Sequence, residues 1–543
     1  MSSGGSSGDS GSGGDAVTGG TAGTGGTGGA AGSNPATTVQ FAVNATAAGH
    51  AISPLIYGIN PESVACSDAG ARFTLCRLGG DRWSTYNWEN NASNAGAPLC
   101  FQNDGALAAS DEPGKVVTDL VSEADAGGAA TLVTLPVLDH VAADKLGGTP
   151  PDDCSGDVRK SGSDYLDTRF KTNAATKGAP FVTPPDTTDD AVYQDEFVAF
   201  VKAAAGSAKV LFALDNQPGL WGITQEVVHP DAPTYAEVVQ RNVAYAKMLR
   251  DQWVAAPIAG YVGYGWLDFT SLQNSPEAGT LGLFLDYYLA GMADASATDA
   301  RRLIDYLDVH WFPEVYAGGT RIIYNVATPA AVAARVQNPR SLWDTTFVED
   351  SWIAHYALGN QSLRLIPWLK ERIAANYPDT KVAISEWNYG GGADVSGAIA
   401  AADALGIFGR EDVGFAAWKS LEHDDPFVLG AFRIFRNYDG AGAAFGDISL
   451  PATSSAIDLA SVYASADTNA EGRVVIVAIN RADHAVDAAL SIEATASFTT
   501  AASYVLTSAS AVPSPGAALT ATSANEFSYT MPAYSVSVIV PAP

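Results

Sequence analysis

Eight short apolar runs spaced by amphipathic stretches, followed by a strand-rich tail, predict a (β/α)8 TIM barrel with a smaller all-β sandwich. The runs are LIYGI (55–59), FTLCRLG (73–79), TLVTLPVL (131–138), KVLFALDN (209–216), IAGYVGYG (258–265), LDVHWFP (307–313), KVAISEW (381–387) and VGFAAWKS (413–420). Between them, stretches such as 193–206, 235–253 and 362–377 repeat apolar residues at helical spacing. From about residue 429 the helical pattern stops, and runs such as 472–480 and 527–540 sit among Ser, Thr, Ala and Asp turns, as in a sandwich.

The expected organisation is a Gly/Ser/Thr-rich tether over 1–36, a strand over 37–48 that joins the sandwich, the barrel over 49–428 and the sandwich over 429–543. The tether composition cannot build a core. It resembles the spacer after a removed export signal, so the protein is expected to be secreted or tethered to the outer cell surface. TVQFAVN (38–44) alternates apolar and polar residues as an edge-type strand would. VLGAFRIFRNYDG (428–440) runs into the sandwich without a linker, which predicts a structural sandwich rather than an independent binding module.

Composition narrows the partners. The 543 residues carry a formal charge of −29, which repels phosphate backbones and anionic membranes, so no nucleic acid is expected. No apolar run reaches the roughly 18 residues a transmembrane helix needs. A neutral polysaccharide meets no such repulsion, and the chain is expected to act as a monomer. Cys66, Cys76, Cys100 and Cys154 are even in number and match no zinc spacing, which predicts one or two disulfides with connectivity open.

In such a barrel the site lies at the C-terminal ends of the strands. Those ends carry Asp215-Asn216-Gln217-Pro218, His310-Trp311-Phe312-Pro313-Glu314, Ser385-Glu386-Trp387 and Trp418-Lys419, with GGDRWSTYNWENNASNAG (79–96) after the second strand. Indoles stack on sugar rings, while amides, imidazoles and carboxylates bind hydroxyls. A retaining glycosidase needs two carboxyls about 5–5.5 Å apart, and the ends of strands four and seven face each other across a barrel mouth.

RLGGDRWSTYNWENNASNAG (77–96), PRSLWD (339–344) and SEWNYGGGADVSGAIAAADALGIFGREDVGFAAWKS (385–420) resemble glycoside hydrolase family 44, as does LDNQPGLW (214–221) with one exception. The resemblance runs through roughly residues 50–450 and more weakly into the sandwich. It implies a retaining endo-β-1,4-glucanase acting on glucan or xyloglucan chains, with Glu386 as nucleophile and position 217 as acid/base. By analogy with related barrels, Asn216 is expected on the sugar 2-hydroxyl; His310 is a candidate to contact sugar or position Glu386, and Trp221, Trp311 and Trp387 are candidate stacking platforms. Trp83, Trp88 and Tyr389 join the candidate binding residues. No cofactor is required; a structural calcium is compatible with the family, though DHVAADK (139–145), TTDDAVYQDE (187–196) and LEHDDP (421–426) lack ordered ligand spacing.

The exception is Gln217, where the family has Glu. An amide carries no titratable proton, so hydrolysis is expected to be strongly impaired. Three explanations stay open: an engineered isosteric change that traps substrate, a natural protein that only binds β-glucan, and an enzyme that recruits another acid. Glu226 lies nearby in sequence, on a segment expected to carry it away from the bond. A mannanase- or xylanase-type glycosidase would keep the chemistry and change the substrate.

Overall fold

The computed structural model describes residues 38–147 and 154–543; the expected 1–36 tether lies outside them. All eight expected runs enter one closed parallel barrel: Gly58–Pro61, Leu75–Leu78, Ala130–Leu135, Val210–Leu214, Ile258–Gly263, Tyr306–Trp311, Lys381–Trp387 and Phe415–Leu421. Their order around the barrel is the order of the chain. The first strand starts later than expected, because Ser53 accepts the Leu55 N–H and Pro54–Ile56 form a short helical turn.

Strand alternation layers the barrel interior. Leu75, Leu132, Ala213 and Ala383 belong to an apolar layer. Two residues further along the same strands stand Arg77, Thr134, Asp215 and Ser385, all buried. The interior thus turns from hydrocarbon to polar toward the C-terminal mouth.

The tail and the N-terminal strand build the sandwich. One sheet runs in the order Ala452–Ser454, Val39–Asn44, Val486–Glu493, Glu526–Met531. The other contains His50–Ala51, Ile448–Leu450, Ala460–Ala466, Val474–Asn480, Ser535–Ala542, Thr500–Thr507 and Ser510–Pro515. Val39–Asn44 therefore joins the sandwich, but inside its sheet and not at an edge; its alternation reflects one wet face. The run 527–540 is two strands in different sheets, divided at Pro532, which has no N–H for a ladder.

Residues 428–436 are not the start of the sandwich. They lie in a helix, Pro426–Arg436, that follows the eighth barrel strand and buries Val428, Leu429, Phe432, Ile434 and Phe435. The expected boundary at 428/429 falls inside this helix. The sandwich packs against it and against Val395–Arg410, a helix rich in Ala and Gly with almost every residue buried. Gly406 permits that approach: a Cβ there would stand 2.4 Å from the Tyr463 ring. Cys66 pairs with Cys76 and Cys100 with Cys154. No helix among the described residues is long and apolar enough to cross a membrane.

Candidate active site

Strand register places Glu386 beside His310, the two being ladder partners across strands seven and six. The polar layer then closes around them. Arg77, with no exposed side-chain surface, donates from Nη1 to Glu386 Oε1 at 2.5 Å and to Asn60 Oδ1 at 2.9 Å, and from Nη2 to Asn216 Oδ1 at 2.8 Å. Lys419 Nζ stands 3.7 Å from Glu386 Oε1. Asn60 in turn donates to the carbonyls of Ser385 and Trp418.

Gln217 meets this group through His310. The Gln217 Nε2 amide donates to His310 Nδ1 at 2.8 Å, and His310 Nε2 lies 3.1 Å from Ser385 Oγ. An amide nitrogen can only donate, so Nδ1 accepts and the ring proton sits on Nε2, toward Ser385. The same Nδ1 lies 3.6 Å from Glu386 Oε2. Gln217 Nε2 and Glu386 Oε2 can therefore be no more than 6.4 Å apart. That bound lies beneath the roughly 6.5–9.5 Å separation of inverting pairs.

The electrostatics separate the groups. Burial alone would raise the Glu386 carboxyl; His310, Lys419 and Arg77 outweigh it and hold the group well below the usual carboxylate range. Burial pushes His310 down to about 3, so its ring is neutral near pH 7. The lasting positive charges on Glu386 are thus Lys419 and Arg77. Asp215 is pushed up by burial against four donors, Ser84 Oγ, Val137 N, Asn216 N and Trp221 Nε1. Those contacts fix the turn that presents Asn216 and Gln217, where Asp215 and Gln217 both take positive φ.

Glu386, Gln217, Asn216 and His310 converge at the barrel mouth. The aromatic candidates lie buried. Trp221 is buried and spends its N–H on Asp215. Trp88 packs on Phe197 and donates to the Tyr193 carbonyl, and Trp83 packs on Tyr86. Trp387 is enclosed by Trp418, Phe408 and Tyr389, and Trp311 is likewise buried. None offers an open ring face, because the loops and helices around the barrel cover them. Among the described residues, Tyr316, Tyr324 and Tyr356 are exposed rings on the segments after strand six.

Sequence reasoning passed over Arg77 and Asn60. The signal was there for Arg77, a cation in the middle of the otherwise apolar run FTLCRLG. Glu226 is half exposed and pairs with Arg159 at 3.7 Å, outside this group. Among the described residues, no three His, Cys, Asp or Glu side chains are arranged to hold a metal. Asp139, Asp144 and Glu196 of the acidic stretches are taken up by Arg241, Arg169 and Lys177.

Comparison with known proteins agrees with this fold. The profile of glycoside hydrolase family 44 matches residues 92–315. Endoglucanase A of Paenibacillus lautus is 35% identical over 527 residues, covering 93% of this chain and 73% of that protein. The β-mannanase/endoglucanase A of Caldicellulosiruptor saccharolyticus is 34% identical, and this chain spans 36% of its length. A Paenibacillus polymyxa family 44 xyloglucanase, solved with xyloglucan, superposes with a TM-score of 0.86 at 34% identity, covering 93% of this chain and all of that one. This chain belongs to glycoside hydrolase family 44.

Proposed function

We propose that the chain is a retaining endo-β-1,4-glucanase of the xyloglucanase type, slowed by the amide at position 217. One observation carries the reading: a buried, ionised Glu386 and residue 217 meet at the same ring nitrogen of one neutral imidazole, within 6.4 Å of each other. Glu386 attacks the anomeric carbon, and Asn216, held by Arg77, is placed to bind the neighbouring hydroxyl. Gln217 occupies the acid/base position without a proton to give. The named activities of the relatives support a β-1,4-glucan or xyloglucan substrate. Two disulfides support a secreted or surface-tethered protein.

The test is Gln217→Glu. Turnover of carboxymethyl cellulose or xyloglucan should rise by about 10²-fold, within the usual range of general acid/base catalysis. Adding Glu386→Gln should remove that gain. Tight glycan binding without any gain would instead favour a non-catalytic β-glucan-binding protein.

A further inference from the structure

The cleft holds another carboxyl to which no role has yet been given. Asp81 opens the short helical turn Asp81–Thr85 that follows the second barrel strand. Gly80, at φ 105°, starts that turn in a conformation side chains resist, and a Cβ there would stand 3.6 Å from Lys419 Nζ. The turn thus passes over the ammonium that also faces Glu386. Asp81 Oδ1 lies 3.4 Å from Asn216 Nδ2, on the side chain just before Gln217. Gln225 Nε2 donates to the Asp81 carbonyl at 2.8 Å and pins the backbone. The residue is half-buried and keeps some contact with solvent.

Its charged neighbours come from every side of the cleft. Glu386 and Asp215 disfavour a second negative charge; Lys419 and Arg82 favour one. Arg82 is engaged by Asp104. Burial, followed by the charge of Glu386, pushes Asp81 up to about 6. Two carboxyls with protonation states driven apart in one cleft are what a nucleophile and an acid require.

We propose that Asp81 is the proton-transfer residue of this chain, supplying for a β-glycosidic bond the proton that Gln217 cannot. The proposal rests on the glucanase reading above. In the first step the Glu386 carboxylate bonds to the anomeric carbon, the C–O bond to the leaving sugar breaks, and Asp81 gives its proton to that oxygen. In the second step the Asp81 carboxylate takes a proton from water, whose oxygen attacks the anomeric carbon. Glu386 leaves as a carboxylate and Asp81 is again protonated.

The experiment compares carboxymethyl cellulose, whose leaving sugar needs a proton, with dinitrophenyl β-cellobioside, whose leaving group needs none. Asp81→Asn in the Gln217 chain should lower carboxymethyl cellulose turnover by about 10²-fold while keeping the first burst of dinitrophenolate. Introducing Gln217→Glu beside Asp81→Asn should regain cleavage of the polymer. The proposal is overturned if Asp81→Asn leaves polymer turnover unchanged, if it depresses both substrates equally, or if the unmodified chain releases dinitrophenolate but never cuts the polymer. If neither the unmodified chain nor Gln217→Glu releases dinitrophenolate, the glucanase reading itself fails, and this proposal with it.

Discussion

Arg77 is the residue on which the cleft depends for its geometry. A fully buried guanidinium loses its hydration, and an ion pair in its place is weak evidence for stability. Its three side-chain acceptors, Glu386, Asn60 and Asn216, come from three different strands or strand ends. It therefore fixes the nucleophile and the residue before position 217 in one frame. Asp268 is a buried group of another kind. It lies under Gly219, where a Cβ would come within 1.9 Å of its Oδ1, and its Oδ2 accepts the Tyr264 N–H at 3.0 Å. Burial pushes its carboxyl from 3.8 to about 8, against the pull of backbone donors. The folded state therefore keeps a proton that the unfolded chain has released. Its stabilising contribution is complete below about pH 3.8 and is lost as pH rises through about 8. Asp268→Asn should flatten this dependence, so the Tm of the variant gains on the parent as pH goes from 5 to 9. Parallel Tm curves across that range would contradict the assignment.

At the scale of elements, the Val395–Arg410 helix joins the two domains. Its Asp403 receives Arg481 at 2.6 Å, with Ser461 and Tyr463 also donating, and neither charged side chain has exposed surface. Breaking such a pair leaves a buried charge uncompensated, at a cost of about 3–5 kcal/mol. Arg481→Met should lower the denaturant midpoint accordingly, and adding Asp403→Asn should recover part of the loss. A midpoint unchanged in Arg481→Met would mean that the interface tolerates the lone carboxylate. Elements of this kind also divide what could be read in the sequence. Val210–Leu214 and Lys381–Trp387 were legible because buried parallel strands are continuous apolar runs. The helix Pro426–Arg436 was not, since a short apolar run such as VLGAFRIF fits a strand or a buried helix equally well. Strand ends bring the segments with position 217 and Glu386 to the barrel mouth, and the family resemblance singles out those two residues within them. The fate of Trp88 or Trp221 could not, because burial is set by which loops fold over the ring. Arg77 was visible as a charge out of place, but its three partners are apparent only once strands one, two, four and seven close on one another.

For the whole molecule, the sandwich is a buttress. Its larger sheet covers the last barrel helices, and the strand Val39–Asn44 ties the start of the described chain to the same domain. The chemistry stays in the barrel, where eight strands bring polar groups from distant parts of the sequence to one mouth. Retention requires Glu386 and residue 217 to serve a single bond at the spacing of a double displacement. Proton NMR of the first sugar ends released by the Gln217→Glu protein reads this directly. The β-anomer should appear first and later equilibrate; release of the α-anomer first would contradict a double displacement by this pair.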